Sequence, residues 1–274
     1  MIVTDSDRPW LISHPLCIGD VSVAYRMSLW TPNEPAPNPA VLMREWSAWG
    51  VVWAAVFAAL VSAWAPGGVS VVAPWLSWLL GYGVLVGVLH RHATRWGWAS
   101  RVTLLRALIT LSLASFLWWP EAYQAHGLAL GLMGLIALLA DGLDGYLARR
   151  LGESSPVGAR FDMETDAALM AVLAVGVWWI DRAGAWVLLI GLMRYGFVMA
   201  GQLWPRLGRE LPESMRRKVI CVVQVSVLLA VLPPWLSDRQ AAVLLGVALA
   251  LLVYSFAVDT LYLIRHQPKK QEMS

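Results

Sequence analysis

From residue 47 to residue 264 the chain alternates long apolar stretches with short polar links. Eight stretches stand out, at about 47–65, 70–90, 102–119, 127–149, 165–180, 184–203, 219–236 and 240–264. A helix needs about 20 predominantly apolar residues to cross the hydrocarbon of a bilayer, and each stretch reaches or approaches that length. The pattern predicts an all-α, polytopic membrane helix bundle. A Pro66-Gly67-Gly68 turn joins the first two stretches, and no internal repeat is present. Residues 1–45 are mixed in character and read as an N-terminal tail. Thr31 to Ala40 is Pro-rich, as an extended linker is. The piece before it, with Trp10, Leu11, Val21, Val23 and Tyr25, reads as a small ordered cap or a surface-bound segment. No basic region leads into an apolar core and a small-residue cleavage site, so no signal peptide is expected.

Composition agrees with the pattern. Hydrophobic residues make up 58% of the 274 positions and charged residues 14%, too apolar a balance for a water-soluble domain. Tryptophan pairs such as Trp118-Trp119 and Trp178-Trp179 close apolar runs, as interfacial aromatics do. The net charge is +3, and no nucleic-acid partner is expected. Basic residues instead orient the chain. Arg8, Arg26 and Arg44 precede the first stretch. Arg91, Arg95 and Arg101 follow the second, and Arg149, Arg150 and Arg160 follow the fourth. Arg206, Arg209, Arg216, Arg217 and Lys218 lie on the same side, as do Arg265, Lys269 and Lys270, against only Arg182 and Arg239 opposite. By the positive-inside rule both termini and the link after the fourth stretch face the cytoplasm. Cys17 and Cys221 have no metal spacing and are not expected to pair, and none of the five histidines has ligand spacing.

The basic link is also bordered by a cluster of acidic residues. Within 141–166, DGLDGYLARRLGESSPVGARFDMETD, Asp141 and Asp144 are three apart, and Asp162 and Asp166 are four apart. Both spacings place two carboxylates on one face of a helix. One pair ends an apolar run and the other begins the next, so antiparallel neighbours would bring all four to one membrane surface. Such a cluster repels itself without a cation inside it. Hard oxygen ligands suit Mg²⁺, Mn²⁺ or Ca²⁺. The bland alternative, four solvated carboxylates, leaves their clustering among basic links unexplained.

Asp141, Asp144, Gly145, Ala148, Arg149, Gly158, Asp162 and Asp166 fall in the order D-x-x-D-G-x-x-A-R, eight residues, G-x-x-x-D-x-x-x-D. This resembles the signature of the CDP-alcohol phosphotransferase family, with no position missing, over roughly residues 99 to 265. The resemblance implies a six-helix catalytic core at 96–266 with two extra N-terminal transmembrane helices at 46–95 and a C-terminal tail at 267–274. It implies Asp141, Asp144 and Asp162 as ligands of two divalent cations, Mg²⁺ or Mn²⁺. Asp166 would complete the set and act as general base. Gly145, Ala148 and Gly158 would leave room for the nucleotide, and Arg149 would contact its pyrophosphate or cytidine. Ordinary helix packing and cytoplasmic anchoring are the plainer readings of these small residues and of Arg149.

Ala99-Ser100-Arg101-Val102-Thr103-Leu104-Leu105-Arg106 is similar to the P-N-x-x-T-x-x-R that the family often has, with Ala99 and Ser100 replacing Pro and Asn. Thr103 is therefore a donor-site candidate. The donor implied is CDP-diacylglycerol, its phosphatidyl group passing to an alcohol with release of CMP. For the acceptor, Arg194 inside an apolar run and Arg217 and Lys218 at the start of another favour an anion, so a phosphorylated polyol such as glycerol 3-phosphate is expected. Serine and inositol phosphate are the alternatives. The family's G-K-x-K-T-x-x-Q survives here only as Lys218 and Gln224. Arg194 has no acidic residue near it in sequence and needs a partner or a wet cavity. Asp259 is expected to pair with a basic residue such as Arg106 or Arg194, in a structural role. A homodimer in a bacterial inner membrane is the family-based expectation. The rival readings are a divalent-cation transporter, which leaves Gly145, Ala148, Arg149 and Gly158 unexplained, and an inert scaffold, which the complete motif opposes.

Overall fold

The computed structural model describes residues 38–65, 70–92, 96–151, 156–204 and 214–265; the side chains of His92, Ala148, Arg149 and Pro156 are outside that description. The N-terminal tail through residue 37, the C-terminal tail after residue 265 and most of the link between the aspartate pairs therefore lie outside the described residues.

Eight α-helices account for the apolar stretches: α1 Pro39–Trp64, α2 Val72–His92, α3 Trp98–Phe116, α4 Pro120–Leu151, α5 Pro156–Trp179, α6 Leu188–Leu203, α7 Met215–Val231 and α8 Asp238–Arg265. No strand occurs among the described residues. Six are long and apolar enough to cross a membrane: α1, α2, α3, α4, α8, and α6 taken together with the 3-10 turn Ala185–Val187 that leads into it, a span of 19 residues. The other two fall short for visible reasons. The first half of α5 carries Arg160, Asp162, Glu164 and Asp166, and α7 has 17 residues.

Several helices begin earlier than their apolar runs. Asn38 caps α1, its side-chain oxygen accepting from the Ala40 N–H at 3.0 Å, and Pro39 takes the first helical position. That pair turns the end of the expected linker into a helix start. α5 starts at Pro156, nine residues before the run at 165, so its first turns are polar but helical. α4 breaks at His126, with φ −117° and ψ 24°, and its apolar run begins one residue later. α5 stops in a left-handed turn at Asp181, φ 58°. The Arg182 N–H donates to the Val177 carbonyl and the Asp181 N–H to that of Trp178, closing the helix end. Arg182 then ties this end to the α7–α8 link through the Leu236 carbonyl (3.1 Å) and Asp238 (2.9 Å).

α3 is the most enclosed of the long helices and lies against α2, α4 and α5. The two N-terminal helices dock onto it. Trp53 Nε1 donates to Ser112 Oγ at 2.8 Å, and Phe57 stacks on Trp78 with ring centroids 5.7 Å apart. Tyr82 donates to the Trp46 carbonyl at 2.6 Å across the space that Gly50 leaves open. At the start of α3, Arg101 meets Glu45 of α1 through Nε (2.5 Å) and Nη2 (3.1 Å). Trp96 Nε1 adds a third bond to that carboxylate at 3.2 Å. Apolar side chains such as Val51, Leu80 and Val84 point outward, as lipid-facing positions do.

α5 and α6 approach closely at Gly191, where an added Cβ would lie 2.6 Å from the Ala171 Cα. Backbone cannot yield as a flexible side chain does, so Gly191→Ala must push the helices apart. Overpacking of this kind costs about 1–3 kcal/mol. The apparent melting temperature is expected to fall by roughly 2–12 °C. Gly196→Ala on the same helix, where a Cβ meets nothing within 4 Å, is the control. Equal melting temperatures for the two variants would refute the close contact.

Candidate active site and metal centre

Asp141 and Asp144 lie in the last turns of α4, and Asp162 and Asp166 in the first half of α5. A four-residue link joins these helices, and each packs against the other and against α3. The two pairs therefore meet at one end of the bundle, beside the start of α3.

What meets them there is Arg106. Its guanidinium is buried on α3, with 1% of the side chain exposed. Nη1 contacts Asp144 Oδ2 at 2.7 Å and Asp162 Oδ1; Nη2 contacts Asp141 Oδ1 at 2.8 Å and Asp166 Oδ1. One cation thus touches all four carboxylates. Asp144 is buried, while the side chains of Asp141, Asp162 and Asp166 are each about one-third exposed. The cluster has a closed floor and an open mouth. Thr103 lies one turn before Arg106, its Oγ1 2.9 Å from Asp144 Oδ2 and 3.1 Å from the Ala99 carbonyl. The hydroxyl has one proton, and the carboxylate is the stronger acceptor.

Room remains for a metal. Asp141, Asp144 and Asp162 each offer an oxygen such that all three lie within 4.8 Å of one another. Asp144 Oδ1 is buried and has no hydrogen-bond partner. Three carboxylates this close, one of them with an oxygen left without a partner, make a donor set that fits a hard divalent cation. Asp166 is outside this trio and joins the cluster through Arg106.

The remaining candidates divide. Gly145 and Gly158 are half-buried, and α5 begins early enough to put Gly158 on the helix four residues before Asp162. Ala148 and Arg149 lie on α4, with side chains outside the description. Arg194 sits beside the aspartate turn, Nη1 donating to the Met163 carbonyl at 2.6 Å and Nη2 to Glu164 at 3.0 Å. Its partner comes from a neighbouring helix, which local sequence does not reveal. Arg217 lies 3.7 Å from Asp259, and Arg216 also pairs with that carboxylate. Asp259 thus pairs with basic residues as expected, but with Arg216 and Arg217 rather than Arg106 or Arg194. Asp259 lies on α8 within reach of the start of α7, while Arg106 is committed to the aspartates. Lys218 is exposed and borders an outer crease lined by Val219, Val222 and Val223.

The sequence reading gave Arg106 no part in the cluster. The signal was present: an arginine among apolar residues on a helix must find carboxylates or water.

A sequence model of CDP-alcohol phosphatidyltransferases matches residues 96–255, more than half of the chain. The chain belongs to the CDP-alcohol phosphatidyltransferase family. Helices α3 to α7 and most of α8 lie inside the match; α1 and α2 precede it. A relative from Pseudomonas fluorescens named CDP-diacylglycerol--glycerol-3-phosphate 3-phosphatidyltransferase is 29% identical over 143 residues, covering 48% of this chain and 71% of the relative. No solved structure matches. Membership makes the chain a membrane transferase of phospholipid synthesis, in a family that depends on divalent cations. Its substrates are a CDP-alcohol and an alcohol.

Proposed function

We propose that the protein transfers a phosphatidyl group from CDP-diacylglycerol to glycerol 3-phosphate, releasing CMP. Family membership supplies the reaction class, and the convergence of four aspartates on one face of α3 supports the site. For the acceptor, the supporting observation is Arg194, a guanidinium held against the helical turn that separates Asp162 from Asp166. The Pseudomonas relative, whose name carries that acceptor, points the same way.

Asp141, Asp144 and Asp162 are the metal ligands in this reading, with Thr103 fixing Asp144 from beneath. Divalent cations bound there would offset the charge of the donor's diphosphate and of departing CMP. Gly145, Ala148 and Gly158 leave the nucleotide room, and Arg149 meets its phosphates. Asp166 takes the proton from the acceptor hydroxyl. That oxygen forms a bond to the β-phosphorus, the bond from this phosphorus to the bridging oxygen breaks, and CMP leaves. Arg194 binds the acceptor's phosphate, and Arg217 and Lys218 add positive charge farther along the cytoplasmic surface. The distribution of Lys and Arg supports a cytoplasmic site, and the bacterial source of the relative supports an inner membrane.

The test uses purified protein, CDP-diacylglycerol and Mg²⁺ with a panel of radiolabelled acceptors. CMP release is expected at least about tenfold faster with glycerol 3-phosphate than with serine or an uncharged polyol, the scale of one charge-assisted hydrogen bond. Release with only an uncharged acceptor overturns the anion-site assignment. CDP and CMP are expected to raise the melting temperature, as ligands of the native state do. A metal-binding module without transferase chemistry would show no such shift.

A further inference from the structure

We propose that Arg106 is the resident counter-cation of the aspartate cluster. As a positioning residue, it keeps the four carboxylates converged when no metal is bound and shares their oxygens with the metal when one is. The proposal rests on the reading of Asp141, Asp144 and Asp162 as metal ligands.

The geometry favours this over an ordinary ion pair. A guanidinium carries two hydrogens on each terminal nitrogen, arranged in a planar fork. Nη1 donates to Asp144 and Asp162 and Nη2 donates to Asp166, while Asp141 lies 2.8 Å from Nη2 as an ion pair, so one fork meets all four carboxylates. Each contact is to a single oxygen. Asp144 keeps Oδ1 buried and unpartnered, although Oδ2 is engaged by both Arg106 and Thr103. A side chain whose only task was to neutralise Asp144 would not extend to three carboxylates that are each about one-third exposed. A lysine ammonium at this depth has three hydrogens from one point and cannot reproduce the fork.

The charge balance gives Arg106 a second consequence. Four carboxylates and one guanidinium leave three negative charges. Two divalent cations turn that into one positive charge, where the aspartates alone would be neutral. A diphosphate donor is an anion and is drawn to the positive balance.

Arg106→Gln, Arg106→Lys and Arg106→Gln/Asp144→Asn are compared with the parent protein in detergent, with EDTA or with Mn²⁺. Without Arg106 the buried Asp144 charge loses its partner, so in EDTA Arg106→Gln is expected to melt roughly 10 °C lower. Arg106→Lys should lie between it and the parent. Mn²⁺ should raise the melting temperature of Arg106→Gln more than that of the parent, because more of the unbalanced charge is left for the metal to offset. The double variant should melt above Arg106→Gln in EDTA, since removing the stranded charge relieves the defect. If Arg106→Gln does not fold, the proposal still stands or falls on Arg106→Lys and the double variant. Unchanged melting in EDTA, equal Mn²⁺ shifts, or a double variant less stable than Arg106→Gln each overturn it. Failure of the metal reading is a separate result: Mn²⁺ binding to the parent, followed by electron paramagnetic resonance, would be the same as to Asp162→Asn.

Discussion

Asp166→Asn is expected to lower turnover by about 10²- to 10⁴-fold, the range supplied by a positioned general base. Mn²⁺ affinity should change by less than about threefold, because this residue lies outside the trio whose oxygens can meet at one ion. Asparagine preserves the shape of the side chain and an oxygen for Arg106 Nη2 to reach. What it loses is the ability to take a proton. Asp162→Asn should behave differently, with turnover and Mn²⁺ affinity falling together, since it removes a charged ligand. The two variants therefore separate a base from a ligand at positions one helical turn apart. Near-normal turnover in Asp166→Asn removes it from proton transfer. A fall in Mn²⁺ affinity as large as that of Asp162→Asn reassigns it to the metal.

The sequence revealed the helices more readily than their contacts. Apolar runs marked eight helices because hydrocarbon demands apolar length, which is local information. The polar beginning of α5 lay outside its run, since Arg160, Asp162 and Glu164 break apolarity without breaking the helix. Three carboxylates within a short distance of one another followed from spacing and antiparallel packing alone. Arg106 did not follow, because its place depends on how α3 seats against both α4 and α5. The docking of α1 and α2 was likewise hidden. It rests on complementary shapes and single bonds, Gly50 beneath Tyr82, Trp53 to Ser112 and Glu45 to Arg101, none of which leaves a pattern along the chain. These contacts support a packing role for the two helices. They also place α1 directly on the helix that supplies Thr103 and Arg106.

Arg194→Gln is expected to raise KM for glycerol 3-phosphate by about 10- to 100-fold, the equivalent of a hydrogen bond between charged groups. Turnover at saturating acceptor should change much less. The guanidinium is held by two bonds to α5, one to the Met163 carbonyl and one to Glu164, so it is fixed in place before any acceptor arrives. Glu164 is half exposed and would compete with an acceptor phosphate for the same Nη2. Glu164→Gln weakens that competitor and should leave KM unchanged or lower it. A purely structural Arg194 predicts another pattern. Both variants would then loosen α6 from α5, melting temperature and turnover would fall together, and KM would stay near its parent value. An uncharged alcohol gives the internal comparison, because its KM should not respond to Arg194→Gln. Equal responses to charged and uncharged acceptors would place the phosphate site elsewhere, with Arg217 and Lys218 the next positions to test.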